Sequence, residues 1–266
     1  MSDAGPLVVC LAAAALYALG GRGRMRVGRE LAFYAGVASV LAVLEPPFDR
    51  WADTSFTLHM VQHVVLLTIA PPLLVLGRPW PRLWLPFPLR ARRAVAHGLA
   101  GSPGFRLAGC ALTRPPVALA VMSATLGVWH VPALYDAAVR HQGIHVLEHV
   151  GFVLTALLYW GPLLEAPPVR ARIDHLRRAM WFAAAMVPGW ILAIVLAFAS
   201  SPLYGAYATL AHRPGGLSAL ADQQLAAGVM WVPGSIAYLV AGFISVYRWL
   251  EPGTTLEPLP EELSWT

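Results

Sequence analysis

The chain contains two pairs of histidines spaced four residues apart, each located where a long apolar run begins. His59 and His63 open a run that extends to Leu76, and His145 and His149 open a second run. Side chains four residues apart lie on one face of an α-helix, about 6 Å apart along its axis. Ionisable groups inside membrane-length segments are costly and by default mark a functional site. We therefore predict that the two pairs face each other and bind a common ligand.

The composition indicates a membrane protein. Hydrophobic residues make up 58% of the chain and charged residues only 12%, whereas soluble domains carry about 25% charged residues. All 19 basic residues are arginine, and they lie in short loops between apolar runs. This pattern is a topology signal and gives no reason to expect nucleic acid as a partner. We predict an all-α, polytopic bundle embedded in the lipid bilayer.

Seven apolar segments could cross a bilayer. They comprise residues 6–20, 31–48, 56–76, 115–133, 143–164, 179–200 and 219–247. The first has about 15 residues, fewer than the roughly 17–25 of most transmembrane helices. Prolines in the third, sixth and seventh segments are predicted to kink or end those helices.

The arginines orient these segments. Sixteen of them follow segments one, three, five and seven, and only Arg50, Arg140 and Arg213 fall on the opposite side. By the positive-inside rule, the N-terminus lies outside and the C-terminus is cytoplasmic. We predict one domain, a bundle of seven transmembrane helices at residues 1–250, followed by a disordered cytoplasmic tail at residues 251–266.

In this orientation, four segments carry polar or thioether side chains close to the outer surface. The group comprises His59 and His63 in segment three, His130 in segment four, His145, Glu148 and His149 in segment five, and Asp222, Gln223 and Met230 in segment seven. The inner halves of the same segments contain almost no ionisable residues. This asymmetry predicts a site in the outer leaflet.

Imidazole and thioether donors at one level favour a transition metal. Imidazole suits copper, zinc, iron and nickel, and methionine adds a preference for Cu(I). The paired histidines are the principal ligand candidates, followed by Met60, His130 and Met230. Met60 points about 100° away from His59 around the helix, so both side chains cannot face the site squarely.

Three polar residues are predicted to support the ligands without binding the metal. Glu148, Asp222 and Gln223 suit hydrogen bonds to imidazole N–H groups, which fix the tautomer of each ring. Asp222 and its neighbours could instead cap the seventh helix, since a side-chain oxygen at a helix start accepts backbone N–H groups.

Other functions remain open on these residues. Two histidines on facing helices can bind haem as axial ligands, which predicts a haem-binding protein or haem-dependent enzyme. Zinc fits the same donors as copper. A transporter would want acidic groups at mid-depth, which the chain lacks. A structural role, in which the histidines bond helix to helix, is the fourth alternative.

Four ordered blocks, at residues 59–77, 129–136, 145–162 and 222–234, are similar to signatures of a known family. They resemble the CtaG family, seven-helix bacterial proteins linked to caa-type oxidases, and the likeness covers roughly residues 30–250. The resemblance implies a non-enzymatic assembly factor of the bacterial inner membrane. It also implies that copper is the metal and that the partner is the cytochrome c oxidase subunit carrying the haem–copper centre.

Overall fold

The computed structural model describes residues 5–21, 27–167 and 173–251, and all regular secondary structure within them is helical. The predicted all-α fold is confirmed for this part of the chain. The predicted disordered tail lies outside the described residues, except for Glu251. Five of the arginines that support the orientation also lie outside them: Arg22, Arg24, Arg26, Arg170 and Arg172.

The helices follow one another with short connections. They are α1 (Gly5–Leu19), α2 (Val27–Leu44), α3 (Phe48–Ala52), α4 (Phe56–Val64), a π-helical turn (Val65–Ile69), α5 (Ala70–Leu76), α6 (Pro79–Trp84), α7 (Leu89–Gly101), α8 (Pro103–Leu112), α9 (Pro115–Trp129), α10 (Pro132–Arg140), α11 (Gln142–Leu163), α12 (His175–Phe198), α13 (Gly205–Ala208), a 3-10 turn (Pro214–Gly216) and α14 (Ala219–Leu250).

Five helical stretches are long and apolar enough to span a bilayer: α2, the continuous stretch Phe56–Leu76, α11, α12 and α14. A sixth counts if α8 and α9, which are bent by 80° at their junction, form one broken span. The apolar helix α1 has only 15 residues. The chain is thus a polytopic helical membrane protein. The count of seven spans and their orientation stay predictions.

The second helix lies four residues earlier than predicted, since α2 covers Val27–Leu44 rather than residues 31–48. Pro46 and Pro47 follow one residue after its end. Proline cannot donate a backbone hydrogen bond and restricts the residue before it, so the helix ends ahead of the pair. The chain then forms α3, which leads into the start of α4.

The π-helical turn has a cause in the sequence. Pro71 has no N–H group for the carbonyl of Leu67, four residues earlier, so the regular α-helical bond at this point is lost. The indole Nε1–H of Trp160 donates to that carbonyl at 3.1 Å. This bond fixes α11 against the stretch Phe56–Leu76, and it thereby helps to set the relative positions of the two histidine pairs.

The prolines of the sixth and seventh segments do not end their helices. The helix α12 continues through Pro188 for 24 residues, and α14 continues through Pro233 for 32 residues. The two helices pack together, and Trp190 Nε1 donates to Ser235 Oγ at 2.8 Å between them. Because lipid is as apolar as the side chains, close packing and such interhelical bonds hold membrane helices together.

Two buried arginines close the end of the bundle at which α12 begins, which we call the arginine end. Arg82 donates to Glu30 Oε1 at 2.7 Å, and its guanidinium carbon lies 4.7 Å from the centroid of the Tyr17 ring. Arg178 donates to Glu165. Both of these guanidinium groups therefore have a carboxylate beside them.

Candidate metal centre

The two histidine pairs converge where α4 and α11 begin. One ring nitrogen from each of His59, His63, His145 and His149 lies within 4.8 Å of the other three. His59, His63 and His149 are buried, and His145 is partly buried. The structure thus brings together the pairs that the sequence predicted to face each other. We call this region, with the neighbouring His130, the histidine end.

The hydrogen bonds of His59 fix its tautomer. The Tyr207 hydroxyl donates to the carbonyl of Ala52 at 3.0 Å, so its oxygen is available to accept the Nδ1–H of His59 at 2.7 Å. The Nε2 atom of His59 then carries a lone pair and points at Nε2 of His63, 2.9 Å away. A ring held in this way presents a nitrogen that is ready to bind a metal.

The spacing of the nitrogens is close to that of a metal site. Four ligands bound tetrahedrally at about 2.0–2.1 Å lie roughly 3.3–3.4 Å from one another. The 2.9 Å between the Nε2 atoms of His59 and His63 already falls within reach of a shared ion. The widest separation of 4.8 Å closes if the rings move inward by about 1 Å, a small side-chain adjustment.

Several buried polar atoms around the cluster have no hydrogen-bond partner. These atoms are Nδ1 of His63, Nε2 of His130, His145 and His149, and both carboxylate oxygens of Glu148. Glu148 Oε1 is 3.7 Å from Nε2 of His63, which is too long for a hydrogen bond. Because buried polar groups are almost always paired, such a concentration of lone pairs indicates a place for a bound cation.

His130 flanks the cluster as a fifth imidazole. Its Nδ1–H donates to the carbonyl of Leu126 at 2.8 Å, which leaves Nε2 as the unpartnered nitrogen. Its ring centroid is 5.8 Å from that of His63, but it lies outside the group of four nitrogens. Tyr135 fills the space between, with its ring centroid 5.4 Å from that of His59.

The two candidate methionines occupy different surroundings. Met60 is fully buried in an apolar cluster with Phe56 and Tyr204, as its angular offset from His59 leads one to expect. Met230 belongs to the same cluster and also lines a small cavity of about 60 Å³ that His63 borders. Of the two thioethers, that of Met230 therefore shares a cavity with a ring of the cluster.

Asp222 holds the start of α4. Its carboxylate accepts hydrogen bonds from the backbone N–H groups of Phe56 and Thr57 at 2.8 and 3.0 Å, and from Ser55 Oγ at 2.8 Å. The first N–H groups of a helix lack internal partners and carry partial positive charge, which explains the placement. Asp222 therefore bonds a helix start rather than the imidazole that the sequence suggested. The helix α14 is capped by Ser218 instead.

Gln223 performs the equivalent task at the end of α12. Its Nε2 donates to the carbonyl of Leu196 at 3.0 Å, and its Oε1 accepts from the N–H of Leu203 at 2.7 Å. The last carbonyls of a helix also lack internal partners. Gln223 thus bonds backbone rather than an imidazole, and it positions α12 against α14.

Sequence reasoning missed two residues that position the cluster. Tyr207, on the short helix α13, sets the tautomer of His59, and no periodic pattern in its loop could have revealed this. Gln62 donates to the carbonyl of Val43 at 2.7 Å and to Asp49 at 3.2 Å. Its position between two histidines, in the first of the four blocks, was the available signal.

The fold and this site define a polytopic helical membrane protein with a buried histidine cluster. The chain belongs to the family described as cytochrome c oxidase caa3 assembly factor (Caa3_CtaG), whose sequence profile matches residues 10–251. The predicted family is therefore confirmed.

Relatives in three mycobacteria are similar to this chain. Uncharacterized proteins of Mycobacterium bovis and Mycobacterium tuberculosis are each 24% identical over 232 residues, and one of Mycobacterium leprae is 21% identical over 230 residues. Each match covers 84% of this chain and 34% of the relative, so the chain spans about a third of the length of these proteins. No solved structure matches the chain significantly.

Proposed function

We propose that this protein binds copper as its cargo at His59, His63, His145 and His149. It then aids insertion of the metal into the oxidase subunit that carries the haem–copper centre. The observation that supports this function is the convergence of four imidazole nitrogens, three of the rings with unpartnered atoms, in a member of an oxidase assembly family. The protein acts as a carrier or chaperone and not as an enzyme.

The charge of the site favours Cu(I). Glu148 is fully buried beside the cluster and both its carboxylate oxygens are unpartnered. Burying an isolated charge is costly, but a monovalent cation and one carboxylate offset each other. A divalent zinc ion bound by neutral imidazoles would leave an excess positive charge in the same place.

The geometry disfavours the haem alternative. A porphyrin plane must lie between its two axial nitrogens, so the ligating rings stand on opposite faces of the macrocycle. Here Nε2 of His59 contacts Nε2 of His63 at 2.9 Å, and the ring centroids of His59 and His145 are 5.0 Å apart. We expect the purified protein to show no Soret band.

The proposed location is the bacterial inner membrane, with the histidine end outside and the C-terminus in the cytoplasm. Support comes from the arginines, since Arg82 and Arg178 lie at the opposite end of the bundle from the cluster. In this orientation copper binds from the outer face and passes to the oxidase within the membrane.

The direct test is the copper content of the purified protein. Wild type is compared with His63→Ala and with His97→Ala, an exposed histidine on α7 that serves as the control. We expect stoichiometric copper in the wild type and the control and its loss in His63→Ala. Equal copper content in all three would contradict the proposal.

A second measurement addresses the partner. In cells that carry His63→Ala as the sole copy, the assembled oxidase should contain haem but lack copper at its haem–copper centre. Full copper occupancy of the oxidase in those cells would show that the cluster does not supply the metal.

A further inference from the structure

A cleft of about 680 Å³ lies beside the histidine cluster, between α11 on one side and α1, α2 and α3 on the other. Most of its walls are apolar. Its polar lining includes His145 and His149 from α11, and Glu45, Asp49 and Asp53 from the region after α2. The cleft therefore connects a group of carboxylates with the cluster.

The carboxylates give this cleft a net negative charge. Arg50 is the one basic side chain among the described residues that line it, against three acidic ones. Asp49 is tied to the site because it accepts a hydrogen bond from Gln62 at 3.2 Å. Burial raises the pKa of Asp53, and the nearby Asp49 carboxylate adds to the rise. Two carboxylates in one another's field attract a cation.

The wall of the cleft formed by α11 carries two metal donors that have no hydrogen-bond partner. His149 is 8% exposed and its Nε2 atom is unpartnered, as is Nε2 of His145. The thiol of Cys10 lies on the opposite wall. A cation in the cleft thus meets hard oxygen donors, imidazole nitrogens and one soft sulfur, a set that includes donors preferred by Cu(I).

We propose that this cleft, the access cleft, is the route by which a monovalent soft metal cation reaches the cluster, with Glu45, Asp49 and Asp53 as its collecting site. The inference rests on the proposed function, because it assumes that the cluster takes up a cation. Carboxylates in a low-dielectric cleft concentrate cations and speed their association. His145 and His149 receive the ion because they line both the cleft and the cluster.

The test measures the rate at which Cu(I) loads the purified protein from a chromogenic Cu(I) chelator. Wild type is compared with the triple variant Glu45→Gln, Asp49→Asn, Asp53→Asn. Loss of electrostatic steering should slow loading by about tenfold at low ionic strength, with the same final copper content. The difference should shrink at high salt, where charges are screened. Glu251→Gln, an exposed carboxylate at the arginine end, should load at the wild-type rate.

Asp49 also accepts a hydrogen bond from Gln62, so its substitution could change the cluster as well as the charge of the cleft. A second pair of variants avoids this because it leaves every charged residue in place. Val150→Trp puts an indole into the access cleft, and Leu147→Trp puts one on the same helix outside it. Both positions are exposed, at 46% and 61%, so the larger side chains can be accommodated. Slower loading of Val150→Trp than of Leu147→Trp is expected.

The outcomes separate the two proposals. Wild-type loading rates in the triple variant, or equal rates in the two tryptophan variants, overturn the access route and leave the metal site standing. A wild-type protein that takes up no Cu(I) overturns the proposed function and the access route together.

Discussion

The two ends of the bundle differ in how they treat buried polar groups. At the arginine end, Arg82 and Arg178 are 7% and 5% exposed, and each donates to a glutamate. At the histidine end, Glu148 and His149 are buried to a similar extent, yet Glu148 has two unpartnered oxygens and His149 an unpartnered Nε2. These two arginines therefore each have an ionic partner, although Arg178 Nε itself is unpartnered, whereas Glu148 has no hydrogen-bond partner at either oxygen.

This difference separates structural polar groups from functional ones. An unpaired buried polar group costs stability, whereas a paired one is close to neutral or favourable. The arginine end closes the helix ends with the ion pairs Arg82–Glu30 and Arg178–Glu165. At the histidine end, the unpaired polar groups lower the stability of the metal-free protein, and binding of a cation would offset this loss. Such a loss is expected where function is kept at the expense of stability.

The largest expected effect is at the histidine end. His149→Leu removes a proposed ligand and an unpartnered nitrogen together, so Cu(I) affinity should fall by about 100-fold. The metal-free protein should be as stable as wild type or more so, since an apolar group of similar size replaces an unpaired polar one. Competition with a Cu(I) chelator and thermal unfolding in detergent measure the two quantities. A large loss of stability would contradict the contrast between the ends.

At the histidine end, Asp222 is a buried polar residue whose carboxylate oxygens do have hydrogen-bond partners. Asp222→Ala removes the acceptor of the first N–H groups of α4 and should lower the free energy of unfolding by about 2 kcal/mol. Asp222→Asn keeps one acceptor oxygen and is expected to lose less. Chemical denaturation compares the three proteins, and a silent Asp222→Ala change would show that the carboxylate does not hold α4.

At the arginine end, Glu165→Ala leaves the guanidinium of Arg178 without its carboxylate. Glu165 is exposed, at 49% of its side chain, whereas Arg178 is buried, and we expect a loss of about 1.5 kcal/mol in unfolding free energy with no change in Cu(I) affinity. Thermal unfolding and chelator competition provide both readouts. A change in affinity would mean that the two ends are coupled.

The smallest expected effect concerns the tautomer of His59. Tyr207→Phe removes the oxygen that accepts its Nδ1–H, and loss of such a supporting bond should weaken Cu(I) binding by about tenfold. Tyr204→Phe is the matched control, because that hydroxyl donates to the carbonyl of His130 and contacts no ring nitrogen of the cluster. Equal Cu(I) affinities for the two variants would show that Tyr207 does not support metal binding.

Much of the fold was predictable because its signals are local. The apolar runs at residues 56–76, 143–164 and 219–247 became helical stretches whose ends differ by at most three residues from those predicted. The boundary of α2 was misplaced because the predicted segment ran through Pro46 and Pro47. The first helix has 15 residues, which is below the roughly 17–25 of most transmembrane helices, so length alone does not count it as a span.

The cluster could be predicted because four-residue spacing determines which side chains share a helix face. Its supporting bonds could not be predicted, since they join distant parts of the chain. Tyr207 and His59 are 148 residues apart, and Asp222 and Ser55 are 167 apart. No periodicity in a single sequence encodes such pairs, so the roles of Asp222 and Tyr207 emerged only from the structure.

X-ray absorption at the copper K-edge of the copper-loaded protein tests the central claim most directly. The account predicts a first shell of imidazole nitrogens at about 2.0 Å, with further scattering from the outer atoms of the imidazole rings. Absence of bound copper, or a shell of sulfur or oxygen atoms without imidazole, would contradict it.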